Sequence, residues 1–339
     1  MSERDHGLGC ASVLVDDLEI SLITYNRAEA LARTLEQLAS GPFARCRLTV
    51  LDNCSTDRTP EVCASFAERF DDLHVVRHVR NIGAEANYLR ALEMMALPYG
   101  WVLCDDDELD FSDCDDVIAA IGEGEVDVLS VGAPGRETWK GGRTTMGRLR
   151  DEDLRVYGVF VFMPNTIYRT AAIDAAALVD GYRNIENLYP MFPFVRRLVE
   201  RDAPVHVSQS LLVRRGGLTV PVTPMYWFVR WVRCASTLPE PQDRHYLVWS
   251  TSPGGRIAWL RTLAITILQE KLYRPQAVGA ELWELLRLLR GAQRAALVAL
   301  APLALLPTPA LAAARRRRTG LSDGGPPSFG GAAPVEQRP

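Results

Sequence analysis

Between residues 18 and 131 the chain alternates short apolar runs with stretches that carry apolar residues at helical spacing. "LEISLIT" (18–24), "RLTVLD" (47–52), "LHVVRH" (73–78), "WVLC" (101–104) and "VDVLSV" (126–131) are short and apolar, as buried strands are. Between them, Ala28, Leu31, Ala32, Leu35, Leu38 and Ala39 recur on one helical face. "TPEVCASFAERF" (59–70) places Pro60 where a helix begins, and "GAEANYLRALEMM" (83–95) lines up Tyr88, Leu92 and Met95. "DCDDVIAAIG" (113–122) is a fourth helical stretch. Strands alternating with helices predict parallel βαβ units, hence an α/β fold with a Rossmann-like, mostly parallel sheet flanked by helices.

In open sheets of that kind, ligands bind beyond the carboxyl ends of the strands. Each of the first four strands ends there in a polar cluster: "TYNR", "DNCSTD", "RNIG" and "DDDE". The last cluster is the most demanding. Asp105, Asp106, Asp107 and Glu108 follow an apolar run, with Asp110 close behind. Adjacent carboxylates repel and need water, donors or a cation. One reading is a solvated turn. The other is a metal site, since hard divalent cations take oxygen ligands and Mg²⁺ or Mn²⁺ needs few from protein when phosphates complete its shell. Alternate residues of an extended strand point the same way, so Asp105 and Asp107 are the expected metal pair. Asp52, ending the second strand, is read either as turn chemistry with Asn53, Ser55 and Asp57 or as an acceptor for the imide N–H of uracil or thymine, or for two donors of guanine. Cytosine lacks that N–H.

The bulk numbers narrow the partners. With 339 residues, 47% of them hydrophobic, the chain has ample material for a core. A net charge of −4 gives no basic field for nucleic acid. Lysine occurs only at Lys140 and Lys271, and this arginine- and alanine-rich usage suggests a GC-rich bacterial genome. The seven cysteines form no C-x-x-C pair, so reduced thiols in a cytoplasmic protein are expected. The first twenty residues are charged and lack the apolar core of a signal peptide.

Further along, "GRETWKGGRTTMGRLR" (135–150) reads as a mobile loop, and "VYGVFVFMPNTIYR" (156–169) as a buried strand entering a turn. "IENLYPMFPFVRRLVE" (185–200) reads as a helix interrupted by Pro190 and Pro193, and "VRRGGLTVPVTPMYWFVRW" (213–231) as a flexible lid. Two apolar helices follow at 257–273 and 281–297. "ALVALAPLALLPTPALAAARRRR" (296–318) carries three prolines and ends in four arginines. It reads either as a buried hairpin or as a helix lying in a membrane interface with an arginine anchor. The Gly/Pro-rich tail from Gly320 is expected to be disordered.

The motifs "ISLITYNRAEAL", "VLDNCSTDRTPEV", "RNIGAEANYLRAL" and "WVLCDDDEL", in this order and spacing, resemble family 2 glycosyltransferases with the GT-A fold; the resemblance covers about residues 18–135. It implies a domain at 18–235, with a nucleotide-binding half (18–135) and an acceptor half (136–235), after an arm at 1–17. A helical, membrane-associating extension (236–318) and a tail (319–339) complete the expected organisation. The resemblance further implies inverting transfer of a sugar from a UDP-, dTDP- or GDP-sugar to a hydroxyl of a glycan or lipid-linked acceptor, with Mg²⁺ or Mn²⁺; the C-terminal helices and the four arginines add the expectation of a peripheral place on the cytoplasmic face of a bacterial inner membrane. Thr24, Tyr25 and Asn26 would line the nucleotide pocket, and Asp52 would hold the base. Asn81, Gly83 and Asn87 would lie by the donor sugar. Asp105 or Asp106 would contact ribose, and Asp107, the end of the D-x-D motif, would ligate the metal. The family's base commonly lies in an E-D pair well beyond that motif. Here "VDGYRNIENLYP" offers only Asp180 and Glu186, and Glu186 is the candidate, its alternative being a plain surface residue. Arg214 and Arg215 are read as a diphosphate clamp or as a solvated basic turn.

Two rivals remain. "DDELD" (106–110) also fits the D-D-x-x-D motif of prenyl-transferring enzymes, which are all-helical. A catalytically inactive scaffold that binds a nucleotide sugar is the other.

Overall fold

The computed structural model describes residues 14–132, 139–208, 210–214, 223–251 and 255–319, without side chains from 314 onward. The chain divides into two compact units: Met1–Ile185 with Tyr189–Gly216, and Glu186–Leu188 with Gly217–Pro339.

The first unit begins with the predicted alternation. In chain order it contains β1 (Leu18–Thr24), α1 (Ala28–Ala39), β2 (Arg47–Asp52), α2 (Thr59–Ser65), β3 (Leu73–Arg77), α3 (Ala84–Glu93), β4 (Tyr99–Cys104), β5 (Glu108–Leu109), α4 (Asp115–Glu123) and β6 (Val128–Ser130). Next come β7 (Gly142–Thr145), α5 (Met146–Glu152), α6 (Val156–Phe160), β8 (Thr166–Arg169), α7 (Ala175–Arg183), α8 (Phe192–Glu200), β9 (Pro204–Val207) and β10 (Val213–Arg214). Among the described residues the main sheet has eight strands in the order β3-β2-β1-β4-β8-β6-β9-β7. The β3-β2-β1-β4 half is parallel throughout. Every residue of β1 is buried, as expected for a strand with parallel neighbours on both sides. Glu19 tolerates that burial because its carboxylate accepts the backbone N–H groups of Ala96 and Leu97. Trp101 packs edge-on against Phe43 and Phe111 beneath β4 and donates to the Pro164 carbonyl at 2.8 Å.

The second half departs from the simple βαβ expectation. β6 does not pair with β4, because β8 lies antiparallel between them. Residues 156–169, expected as one strand, form α6, a 3-10 turn and then β8. Most of their residues are buried whichever way they point, only Gly158 being exposed, and such a run does not distinguish helix from strand. Asn165 makes the bend: its buried amide donates to the Val159 carbonyl and accepts the Gly132 N–H. The expected loop at 135–150 holds a strand and a helix from Gly142 onward, and its residues 135–138 lie outside the described residues. Its Gly142–Thr145 pairs antiparallel with β9, and Thr145 caps α5 by accepting the Arg148 N–H. Pro193 sits in the first turn of α8, so it starts that helix rather than interrupting it. This sheet and the position of 106–110 after a strand exclude the all-helical prenyltransferase reading.

The second unit is helical, with α9 (Pro224–Ser236), α10 (Pro241–Ser250), α11 (Gly255–Tyr273), α12 (Val278–Leu288), α13 (Gly291–Leu300) and α14 (Thr308–Thr319). The expected lid at 213–231 is therefore helix from Pro224; residues 215–222 lie outside the described residues. The apolar run 281–297 is two helices, parted at the extended Leu289 and Arg290, with Gly291 at φ +50° opening the second. Arg230 links α9 to α12: it stacks on the Tyr226 ring at 3.6 Å and bonds both oxygens of Glu281. Arg233 likewise reaches Glu284 and the Asn187 side chain. No helix among the described residues is long and apolar enough to cross a membrane. The expected tail from Gly320 lies outside the described residues.

Candidate active site

The parallel half of the sheet aligns its polar strand ends. Thr24 is in register with Asp52, Asp52 with Arg77, and Ile23 with Cys104. The four clusters therefore meet at one edge, and hydrogen bonds tie them together.

The "TYNR" turn lies between the second and fourth clusters. Asn26 takes φ +51°, donates its N–H to Ser55 Oγ at 2.9 Å and accepts the Thr56 N–H at 2.6 Å. Asp57 accepts the Ala28 N–H at the start of α1 and the Thr59 N–H and hydroxyl. Those bonds outweigh the opposing effect of burial and hold its carboxyl below the usual carboxylate range. Tyr25 is half-buried beside them.

Asp52 is buried at 1% exposure. Its Oδ1 accepts the Ser55 N–H at 2.8 Å. Arg77 Nε lies 3.2 Å from Oδ2, close enough for ion pairing but misdirected for a hydrogen bond, so this buried oxygen keeps an unspent lone pair. Arg77 also donates to the Ser55 carbonyl at 2.6 Å.

The third cluster is held by a residue first read as turn chemistry. The buried Asn53 amide donates to Asn81 Oδ1 at 2.9 Å and to the Gly83 carbonyl at 3.2 Å, and accepts the Ile82 N–H at 2.9 Å. Asn81 in turn accepts the Gly83 N–H, and Gly83 adopts φ +87°, which a side chain would strain. Asn81 is exposed; Asn87 is not. The Asn87 amide donates to the Leu51 carbonyl and meets His78 Nε2 at 2.8 Å, so it fastens α3 to β2.

At the fourth cluster β4 ends at Cys104, and Asp105 and Asp106 form a turn. Asp107 folds back so that its Oδ2 accepts the Cys104 N–H at 3.0 Å. Asp105 and Asp107 thus reach the edge through a turn, not through strand alternation. Asp105 is buried, accepting the Thr24 hydroxyl at 2.7 Å and Arg27 Nη1 at 3.1 Å; the same nitrogen lies 3.0 Å from Asp106. Thr34 donates to the Asp105 carbonyl. Burial pushes the Asp105 carboxyl up to about 6, against the pull of Arg27 and Thr24. Burial lowers the Arg27 pKa, but the paired acids outweigh it and the net shift is upward. The donor set, successive carboxylates, suits a hard cation held by one or two of them and completed by substrate oxygens. Among the described residues no group of three His, Cys, Asp or Glu forms a ready cage. Arg27, Asn53 and Arg77 carry this arrangement without having been singled out as site residues. The sequence signal for Arg27 was a cation three residues past the end of the first strand, in a chain whose second and fourth strand ends are acidic.

Of the remaining candidates, Arg214 is brought beside the acidic turn, on β10 opposite Glu108 of β5. Asp180 is paired with Arg197 at 3.0 Å and Arg196 at 3.7 Å. Glu186 is exposed in the turn Ile185–Asn187, within the second unit. Arg214 pairs at the surface with Asp110 at 3.4 Å, and Arg215 lies outside the described residues.

Comparison with known proteins agrees with this geometry. Residues 20–173 match the family model described as Glycosyl transferase family 2. In sequence, no curated protein matches the chain. The fold resembles that of S. aureus TarS, with 18% identity over 78% of this chain and 53% of that one, at a TM-score of 0.52. The chain thus spans about half the length of that protein. A TarS 1–349 structure in complex with UDP-GlcNAc aligns over 90% of this chain and 92% of the other, with 17% identity and a TM-score of 0.52. Its complex with UDP gives 18% identity, the same two shares and a TM-score of 0.51. Such identities establish the GT-A fold.

Proposed function

We propose, from the premise that the chain carries a glycosyl transferase family 2 domain over residues 20–173, that it transfers a sugar with inversion from a nucleoside-diphosphate sugar to a hydroxyl of a glycan or lipid-linked acceptor. The observation that carries this reading is the convergence of two buried carboxylates, Asp52 and Asp105, at the ends of strands flanking β1. Burying an acid costs free energy unless something compensates it. Asp52 retains an acceptor site on Oδ2, which suits an imide N–H, and the nearby Arg77 guanidinium suits a base carbonyl. UDP, dTDP and GDP donors all satisfy that pair.

The ordered "TYNR" turn gives the nucleotide a rigid wall, and the clamped Asn81–Gly83 turn gives the donor sugar a second one. Asp107, with Asp105 as the second carboxylate, would hold Mg²⁺ or Mn²⁺. A cation there neutralises charge on the departing diphosphate. Arg27 bridges Asp105 and Asp106 and fixes them in place. Glu186 is the proposed base for the acceptor hydroxyl, and a lipid-linked acceptor would place the work at the cytoplasmic face of a membrane. The test is release of nucleoside diphosphate from UDP-, dTDP- and GDP-sugars with Mn²⁺, comparing wild type with Asp52→Asn, Asp107→Ala and Glu186→Gln. One donor class turned over by wild type, and lost in the two aspartate variants, supports the reading. Binding without turnover would identify a nucleotide-sugar-binding scaffold instead. Full turnover in Glu186→Gln would move the base elsewhere.

A further inference from the structure

The C-terminal helices of the second unit carry a charge asymmetry that transfer chemistry does not use. Between Glu284 and Asp323 there is no acidic residue, while Arg287, Arg290, Arg294 and Arg315 to Arg318 supply seven positive charges. A surface helix of a water-soluble unit ordinarily mixes both signs. The same stretch leaves large apolar side chains uncovered: Val298 is 57% exposed and Leu305 84%, with Leu306 beside it at 41%. Trp283, one turn ahead of Arg287 on α12, is 64% exposed. Scattered exposed apolar residues need no explanation, but here Val298, Leu305 and Leu306 lie between two groups of arginines along one acid-free run.

The backbone fits a surface rather than a span. α13 is ten residues long, the turn Ala301–Leu305 follows it directly, and Pro307 separates that turn from α14. These short pieces place Leu305 and Leu306 at a bend between helices and the four arginines at the end of the last one. Apolar side chains at a bend can enter the acyl boundary while flanking guanidinium groups bind headgroup phosphates.

We propose that residues 283–318 dock the protein on a bilayer rich in anionic lipid, with Val298, Leu305 and Leu306 as the inserting side chains and the seven arginines as the electrostatic hold. A second protein copy fits less well, since two such arginine-rich faces would repel. The inference extends the reading of a lipid-linked acceptor, and its test reads vesicle binding rather than turnover, so the two can fail separately.

The test is co-sedimentation of the full chain with vesicles of phosphatidylcholine alone and of phosphatidylcholine with phosphatidylglycerol, at low and high salt. Wild type should bind only the anionic vesicles and should release as salt screens the charges. The combined variant Leu305→Asp with Leu306→Asp should bind at least about tenfold more weakly, given the cost of placing a charge at the acyl boundary. A second variant with Arg315 to Arg318 all changed to Gln should lose more, at roughly fivefold per arginine. Circular dichroism on each variant verifies folding. Equal partition of wild type with both vesicle types or with neither, or binding unchanged in both variants, overturns the proposal. Self-association in sedimentation velocity that Leu305→Asp with Leu306→Asp abolishes, without vesicle binding, would assign the face to a second copy and overturn it as well.

Discussion

Asn53→Ala removes the clamp on the Asn81–Gly83 turn, and its cost can be worked from the hydrogen bonds. Asn53 is 3% exposed and makes three bonds there, at 2.9, 3.2 and 2.9 Å. A bond of this kind contributes about 1 kcal/mol net, so three set a ceiling of about 3 kcal/mol. Asn81 and Ile82 are exposed, so water recovers part of what their polar groups lose. That brings the expected loss to about 2 kcal/mol, or roughly 4–8 °C in Tm for a domain of this size. Asn53→Asp should lose at least as much: it keeps an acceptor for the Ile82 N–H, but it loses both donated bonds, turns a carboxylate toward the Asn81 and Gly83 oxygens and buries a charge next to Asp52. Differential scanning calorimetry reads the stability, and titration with the nucleotide that wild type binds reads the site. A variant within 1 °C of wild type and binding as tightly would refute the claim that Asn53 shapes this wall of the site.

Arg27→Gln leaves Asp105 buried without its counterion; because the arginine side chain is 35% exposed, the loss should be discounted from the several kcal/mol of a fully buried pair to about 1–2 kcal/mol, with Arg27→Lys recovering most of it in urea unfolding. Asp57→Ala should cost about 1 kcal/mol at pH 7, the usual worth of such a cap. The folded Asp57 pKa lies below its unfolded value, so this contribution is fully present above about pH 4 and fades as pH falls through the folded pKa; urea midpoints of wild type and variant should therefore converge in acid. Burial pushes the Cys46 and Cys234 thiols up to about 12 and those of Cys63 and Cys114 up to about 11, so mass spectrometry after brief alkylation of the native protein at pH 8 should find the half-exposed Cys54 modified before any of them.

What the sequence told, and what it withheld, follows from the range of the forces involved. β1 to β4 and their helices were legible because apolar period and turn chemistry are local, and their shared polar edge followed from parallel topology alone. Residues 142–145 were not legible, because a polar, glycine-containing edge strand is defined by its pairing with β9 rather than by its own pattern. Residues 156–169 failed for the opposite reason: burial of most of the run erased the period. At the site, the acidic residues stood out by type. Arg27, Asn53 and Arg77 acquire their roles only through partners 78, 28 and 25 residues away in sequence. Such long-range pairing leaves no local trace.

The central claim is that this strand edge binds a nucleoside diphosphate through Asp52 and a metal through Asp107. Calorimetric titration of UDP, dTDP, GDP and CDP, each with Mn²⁺ and with EDTA, on wild type and Asp107→Ala tests it directly. The account predicts that one of the first three binds, that CDP does not, and that EDTA and the substitution each weaken binding. Binding to none of them, or binding indifferent to both metal and Asp107, would contradict it and leave the acidic cluster a solvated turn on a GT-A fold.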